Sequence, residues 1–205
     1  EEKRQIGEND SFICSLIRND SIEEFVTYVT KNNISLKSQI KYSIFETNSF
    51  LLDKSPSLIE YSAFFGSIQI FNYLRLNRVN FSPSLWLYAI HGQNADLIHL
   101  LEENHCLPED KSYMECFEES IKCHHNDFAN YFKVNFLMEK YKPEKAFELY
   151  FHYNNLSLPI NEIEENLIYV FENACKFNYF NLFDLFINED EDDQFDIKKI
   201  IIFFF

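Results

Sequence analysis

The chain has 205 residues, of which 46% are hydrophobic and 18% aromatic, and it carries a formal net charge of −15 at pH 7. This length allows one domain with a substantial core or one continuous array of repeats. An acidic surface repels the phosphates of nucleic acids and anionic membrane surfaces, so we expect neither nucleic acid nor membrane as a partner. Only 3 glycines and 5 prolines are present, and this scarcity favours helices over sheets with tight turns.

The cysteines are odd in number and irregularly spaced. They are Cys14, Cys106, Cys116, Cys123 and Cys175. Their apolar or helical settings indicate reduced thiols inside a cell rather than a disulfide framework. The sequence shows no signal peptide and no apolar run of the ~20 residues that a membrane-spanning helix needs. We therefore expect an intracellular, cytoplasmic protein.

The residue pattern divides the chain into four parts. Residues 1–10 are polar and predict a flexible N-terminus. Residues 11–55 predict one or two divergent helical units, and residues 56–138 contain the central repeats. Residues 139–205 predict further helical repeats, and we expect the protein to continue into repeats that this chain does not contain.

Three helices are predicted in the N-terminal part. The first is indicated by the helical spacing of Phe12, Ile13, Leu16 and Ile17, and the second follows it. Ser21 and Glu24 are three residues apart and form a capping-box signature for the start of a helix. Ile40 and Ile44 have helical spacing and predict another helix, followed by a connecting loop over residues 48–57.

Three similar stretches follow one another between Ser57 and Phe132, and a fourth copy begins at Ala174. Each has a small residue, a second turn residue a few positions later, and then an amphipathic run. The first small residues recur at separations of 26 and 31 residues, which is typical of a helical solenoid. The pairs in the first three copies are Ala63 with Gly66, Ala89 with Gly92, and Ser120 with Cys123.

The second small residue of each copy is predicted to lie in the turn between two helices. A glycine there can adopt a positive φ and let the second helix fold back on the first. We predict this conformation for Gly66 and Gly92, with one additional turn residue in the later copies. Cys123 and Asn178 are predicted to occupy the equivalent turns of the third and fourth copies.

The stretch from Ser57 to Leu74 resembles the ankyrin-repeat consensus, which opens with Thr-Pro-Leu-His-x-Ala-Ala and continues with a glycine and an apolar second helix. Ser57 stands at the position of the consensus Thr, Ser62-Ala63 at the Ala pair, and Gly66 at the glycine. The consensus Pro and His are replaced by Leu and Glu in this copy.

The later copies are similar to a divergent group of ankyrin-type proteins that is greatly multiplied in flagellated parasitic protists. The residues that carry this resemblance are Leu85–Asn104 and Ser120–Tyr131. In that family such a segment precedes ordinary ankyrin repeats. The resemblance covers roughly residues 20–197. It implies an all-α, ankyrin-like solenoid that binds proteins, with no catalytic residues.

Several Cys and His residues in the middle of the chain are candidate metal ligands. A zinc site needs about four such ligands and usually contains a close Cys-x-x-Cys pair, which this sequence lacks. A nucleophile made of Cys123 and His124 lacks a third orienting group. We therefore predict no metal, no cofactor and no enzymatic activity. The candidate ligands are His99, His105, Cys106, Cys116, Cys123, His124 and His125.

The end of the chain is acidic and then apolar. A calcium-binding EF-hand loop counted from Asn188 would need Gly at position six and Glu at position twelve. Those positions hold Asp193 and Lys199, so a solvated acidic loop is predicted. Phe203–Phe205 is predicted to be an apolar end that the next repeat would cover.

Trp86 is the one tryptophan of the chain, and its position on a predicted helix allows a partner contact or a packing role. Taken together, the sequence favours an intracellular protein–protein interaction module without catalytic activity. A structural N-terminal capping segment of a longer ankyrin-repeat protein is the alternative. A small helical enzyme that uses a metal or a Cys/His pair is a third and more remote class.

Overall fold

The computed structural model describes residues 7–52, 54–157, 163 and 165–181. These residues are mostly helical, and the β-type pairing found among them is an isolated bridge between Gln39 and Ser57. The prediction of an all-α chain is therefore confirmed. Within the described ranges, no helix has both the length and the apolar character needed to cross a bilayer.

The chain divides into two compact units, residues 1–119 and residues 120–205. The division falls inside the stretch 56–138 that the sequence pattern groups together, and it lies within helix α8 (Met114–Lys122). The helices of the first unit are α1 (Phe12–Arg18), α2 (Ile22–Lys31), α3 (Ser49–Leu52), α4 (Leu58–Phe64), α5 (Ile68–Leu76), α6 (Leu85–His91) and α7 (Ala95–Glu103). Those of the second unit are α9 (Asn126–Phe132), a π-helical turn (Lys133–Leu137), α10 (Pro143–His152) and α11 (Leu167–Lys176).

The first unit is built from three helix hairpins, α1–α2, α4–α5 and α6–α7. The first helices pack in the order α1, α4, α6, and α2 packs against α5. Since α4 lies between α1 and α6, it is buried on nearly all sides, including Tyr61, Ser62 and Ala63. Phe25 of α2 meets Tyr73 of α5 edge to face, with their ring centroids 6.2 Å apart.

Local sequence signals account for the starts of two helices. Ser57 and Glu60 form a complete capping box at the start of α4, and Pro143 occupies the first turn of α10, where its missing N–H leaves no hydrogen bond unmade. Ser21 stands at the N-cap position of α2, but its side chain makes no capping hydrogen bond. The predicted capping box of Ser21 and Glu24 is therefore wrong.

The helix predicted from Ile40 and Ile44 is absent from the described residues. Residues 39–48 form turns and extended backbone, and the short helix α3 lies where a connecting loop was predicted. Hydrogen bonds from distant residues hold this segment in place, as when the side-chain amide of Asn9 donates to the Lys41 carbonyl (2.9 Å). These tertiary contacts outweigh the weak local preference for a helix.

In the second unit, α10 packs against α11 through an apolar cluster of Phe147, Phe151, Val170 and Ala174. Asn155 follows α10 and is fully buried. Its side-chain N–H groups donate two hydrogen bonds, which offset part of the cost of burial, while its Oδ1 atom has no partner among the described residues.

Part of the predicted organisation lies outside the described residues. This applies to residues 1–6 of the N-terminus, residues 182–186 of the fourth copy, the acidic stretch 188–193 and the apolar end Phe203–Phe205.

Candidate functional site

Most helices of the described part end in the same tight turn. The N–H of the residue with positive φ bonds to the carbonyl three residues earlier, and the next N–H bonds to the carbonyl five residues earlier. After α4 these bonds are Gly66 N to Ala63 O (3.1 Å) and Ser67 N to Ser62 O (2.9 Å). The positive-φ residues that follow these helices are Asp20, Asn33, Gly66, Arg78, Gln93, His105, His124, Asn154 and Asn178.

This geometry corrects the predicted register of the copies. Gly66 has the predicted positive φ of 65°, but Gly92 has a φ of −70°, so the prediction for Gly92 is wrong. Gly66 is instead equivalent to Gln93 and His124, which have φ values of 50° and 61°. The turns have the same length, and the additional residue predicted for the later copies does not exist.

A glycine is required at position 92 because the backbone of the neighbouring hairpin approaches it closely, and not because its φ is positive. A Cβ at Gly92 would lie 2.1 Å from the carbonyl oxygen of Ala63, and a Cβ at Gly66 would lie 2.7 Å from the carbonyl oxygen of Gly92. The turns after α4 and α6 therefore touch through their backbones. Two predicted turn residues of the second unit also lie in such turns, since Cys123 precedes His124 and Asn178 itself has a φ of 63°.

The turns of neighbouring hairpins are also joined by side chains. Both carboxylate oxygens of Asp20 accept hydrogen bonds from the N-terminus of α5, one from Gln69 N and one from Ile70 N, each at 3.0 Å. The hydroxyl of buried Ser67 donates to the carbonyl of Ile17 (2.5 Å). One hairpin thus caps a helix of the next, which a sequence pattern within one repeat does not reveal.

The second unit repeats this contact. Asn155 follows the positive-φ residue Asn154, as Ser67 follows Gly66. Its side-chain amide donates to the Ile121 carbonyl (2.9 Å) and to Asn126 Oδ1 (2.7 Å). Ile121 stands three residues before a positive-φ residue, as Ile17 does, so the two hydrogen bonds are equivalent.

Trp86 is buried, with 0% of its surface exposed. Its indole N–H donates to the Cys106 carbonyl (2.7 Å), and its ring meets Tyr113 edge to face at 5.2 Å. The interpretation of Trp86 as a partner contact is therefore wrong, because no part of the side chain reaches a partner. Trp86 packs α6 against the chain that follows α7.

Two of the five thiols are placed in unreactive settings. Burial raises the pKa of the Cys14 and Cys116 thiols, so both are protonated at neutral pH and are poor nucleophiles. Among the described residues, no three-residue ligand cluster contains His99, His105, Cys106, Cys116, His124 or His125.

His91 takes part in a contact that the sequence does not indicate. Its Nε2 atom lies 2.8 Å from Glu119 Oε1, and both side chains are largely buried. The imidazole also packs on the rings of Phe50 and Phe64, at centroid distances of 4.2 and 4.8 Å. This pair ties the end of α6 to α8 within the first unit.

The most prominent exposed apolar side chains that lie close together in the first unit belong to residues 41–48, here called the 41–48 loop. Tyr42 is 69% exposed and Ile44 is 75% exposed. The residues between and after them, Ser43 and Glu46, are buried. Two large apolar side chains of the loop therefore point outward while Ser43 and Glu46 point inward. The polar side chains of Lys41, Thr47 and Asn48 are exposed as well.

Hydrogen bonds fix the backbone of the 41–48 loop. The Ser43 hydroxyl donates to Asp10 Oδ1 (2.9 Å). The Glu46 carboxylate accepts from the backbone N–H groups of Asn9 (3.3 Å) and Asn48 (2.9 Å), and Thr47 donates through its backbone N–H (3.0 Å) and its hydroxyl (2.8 Å) to the Gly7 carbonyl. These hydrogen bonds thus hold the backbone that carries Tyr42 and Ile44 in one conformation.

The sequence analysis missed the 41–48 loop because it assigned Ile44 to a helix. The signal that could have found it is the polar run Thr47-Asn48-Ser49 at its end, because Asn and Ser favour turns over helices. Comparison with models of known protein families gives no match, and comparison with characterised proteins gives none either.

Proposed function

We propose that this chain is an intracellular, cytoplasmic protein–protein interaction module, built as an ankyrin-like stack of helix hairpins and without catalytic activity. Stacked hairpins bury a continuous core and leave their loops for recognition. The packing order of α1, α4 and α6 and the interlocked turns support the stack.

The single observation that carries the proposed function is the 41–48 loop. Two large apolar side chains, Tyr42 and Ile44, are exposed there on a backbone that buried hydrogen bonds already fix. Because such a loop has little conformational freedom left to lose, it binds a partner at a low entropic cost. Tyrosine is also among the residues that contribute most to binding at interfaces.

The thiols of Cys14, Cys106 and Cys116 do not fit the role of a catalytic nucleophile. The raised pKa values of Cys14 and Cys116 are opposite to the lowered pKa of a catalytic cysteine. Cys106 also has a pKa raised by burial.

A second candidate is a structural role as the N-terminal cap of a longer array. The observation that favours it is the contact of Asp20 with the N-terminus of α5, because the first hairpin there satisfies backbone groups of the second. Terminal units of solenoids commonly cover the core of the next repeat in this way.

Affinity capture with variants of the exposed loop distinguishes the two candidates. The purified chain is used as bait in lysate of its source cell, at salt above about 0.3 M, where attraction between surface charges is screened. Tyr42→Ser/Ile44→Ser is compared with Leu76→Ser, which alters a side chain of similar exposure (74%) elsewhere on the first unit.

An interaction module predicts a protein that wild type and Leu76→Ser retain and that the double variant loses. If all three baits retained the same protein, the contact would lie elsewhere on the chain and the 41–48 loop would not be the binding site. Capture of chaperones alone would favour the capping segment.

A further inference from the structure

We propose that a groove on the first unit, formed by the turns after α5 and α7, is a binding site for an oxyanion, either a carboxylate or a phosphate group. The groove has a volume of about 410 Å³ and is lined by Arg75, Val79, Asn80, Phe81, Asn104, His105 and Cys106. A volume of this size lies within the range of roughly 300–1,000 Å³ that small-ligand sites occupy.

The described lining of the groove contains no acidic side chain. The chain as a whole carries a net charge of −15, yet no carboxylate is found among the described residues that line the groove. The lining instead offers one guanidinium, one imidazole and two amides. In a protein with an excess of acidic residues, a groove without them attracts anions more strongly than its surroundings do.

Arg75 has hydrogen-bonding capacity that the fold leaves unused. Its Nε atom is buried, and among the described residues it has no hydrogen-bond acceptor. Arg75 stands in the last turn of α5, where the helix dipole favours a cation but provides no acceptor for this N–H. A planar guanidinium binds carboxylate and phosphate oxygens in pairs, so an oxyanion is the chemical group that this side chain fits.

The wall opposite Arg75 is fixed in place. The Cys106 carbonyl accepts from the Trp86 indole (2.7 Å), and its thiol lies 3.5 Å from the Ser82 carbonyl. The side-chain amide of Asn104 donates to the Leu100 carbonyl (2.7 Å). The two turns that border the groove share the positive-φ geometry, at Arg78 and His105. The backbone of the groove is therefore preformed, and only the Arg75 side chain has to turn for its buried Nε–H to reach a ligand.

The site is independent of the 41–48 loop, since the two share no residue. The site recognises its ligand through an oxyanion group. A free metabolite or a side chain of a bound protein could each provide that group. Inorganic phosphate and acetate are the simplest probes of the two chemistries.

The test is a titration of the ¹⁵N-labelled full chain with sodium phosphate, and separately with sodium acetate, at constant ionic strength, followed by NMR. We expect saturable shifts of the Arg75, Asn80 and His105 signals, with a Kd on the order of 1–10 mM for the better probe. Arg75→Gln should weaken this binding at least tenfold. Lys31→Gln removes one positive charge from an exposed residue in the last turn of α2, outside the groove, and should bind as wild type does.

Arg75→Lys covers the case in which Arg75→Gln fails to fold. It keeps the charge but lacks the planar pair of donors, so binding at least threefold weaker is expected. Saturation by either probe, lost with Arg75→Gln and kept with Lys31→Gln, supports the site, and the probe that binds more tightly identifies its chemistry. Shifts that do not saturate with either probe, or equal losses in Arg75→Gln and Lys31→Gln, would overturn it.

Discussion

A Cβ on Gly92 would lie 2.1 Å from the carbonyl oxygen of Ala63 in the neighbouring hairpin. Gly92 has a φ of −70°, which every L-residue adopts, so any cost of a side chain here comes from crowding alone. We expect Gly92→Ala to lower the free energy of unfolding by about 1–3 kcal/mol, since the backbones of two turns would have to separate. Urea denaturation followed by circular dichroism measures this change.

Asn32→Ala is the matched control for that substitution. Asn32 occupies the equivalent position after α2, where its side chain is exposed, and we expect a cost below about 1 kcal/mol. Equal losses for the two alanine variants would show that the close approach of the turns contributes nothing to stability.

The carboxylate of Asp20 is the N-terminal cap of α5, although it belongs to the previous hairpin. Asp20→Ala removes both acceptors of the Gln69 and Ile70 N–H groups and should cost about 0.5–2 kcal/mol. Asp20→Asn keeps one acceptor and tolerates the positive φ of 49°, so its loss should be smaller. Chemical denaturation of the three proteins gives the order, and an alanine variant as stable as wild type would refute the cap.

The carboxylate of Glu60 holds the starts of α4 and α6 together. Burial alone would raise the pKa of Glu60, but hydrogen bonds from Ser84, Ser57 and Ser82 together outweigh burial and hold the pKa below its ordinary value of 4.5. Because the pKa is lowered in the folded state, the contribution of Glu60 to the free energy of unfolding is fully present above pH 4.5. It is lost as the pH falls below that value and through the pKa of the folded state.

Glu60→Gln should therefore reduce the steepness with which stability falls in acid, and it should cost about 1–3 kcal/mol at neutral pH, because three hydroxyl groups lose an ionised acceptor. Unfolding by urea at several pH values between 3 and 7 tests both effects. Glu103→Gln, on the exposed surface of α7, is the control for the change in net charge. A Glu60→Gln curve parallel to that of wild type would be inconsistent with a lowered pKa.

The thiols of Cys14 and Cys116 should be slow to react in the folded chain. Both are buried, and burial is the main cause of their raised pKa values. Their alkylation by iodoacetamide at pH 8 should be at least tenfold slower in buffer than in urea, as read by mass spectrometry of peptides. Half-buried Cys175 is the internal comparison, and labelling of all three at one rate would contradict the predicted protection.

The sequence was sufficient to predict the helices whose ends carry local signals. Pro143 marks the start of α10, and the amphipathic runs around Leu74 and Leu101 mark second helices of hairpins. Such signals act within one turn of a helix, so they are readable without tertiary contacts.

The register of the turns could not be read in the same way. A glycine in a turn satisfies either of two needs, a positive φ at Gly66 or a close backbone approach at Gly92. The sequence does not distinguish the two needs, because Gln93 and His124 occupy the left-handed position without a glycine. Aligning the two glycines therefore shifted the copies by one residue.

The candidate sites depend on contacts between residues that are distant in the sequence, so the local sequence pattern could not predict them. Trp86 is buried by the chain that follows α7, and Ile44 is exposed because contacts with Asn9 and Asp10 hold its loop away from a helix. Neither the burial of the first nor the exposure of the second follows from helical periodicity.

The most direct test of the proposed function is the affinity of the captured partner, measured by isothermal titration calorimetry with wild type, Tyr42→Ser/Ile44→Ser and Leu76→Ser. The proposal predicts that the double variant binds at least tenfold more weakly, a loss of about 1.4 kcal/mol or more, while Leu76→Ser binds as wild type does. Equal affinities for all three proteins would contradict recognition through the 41–48 loop.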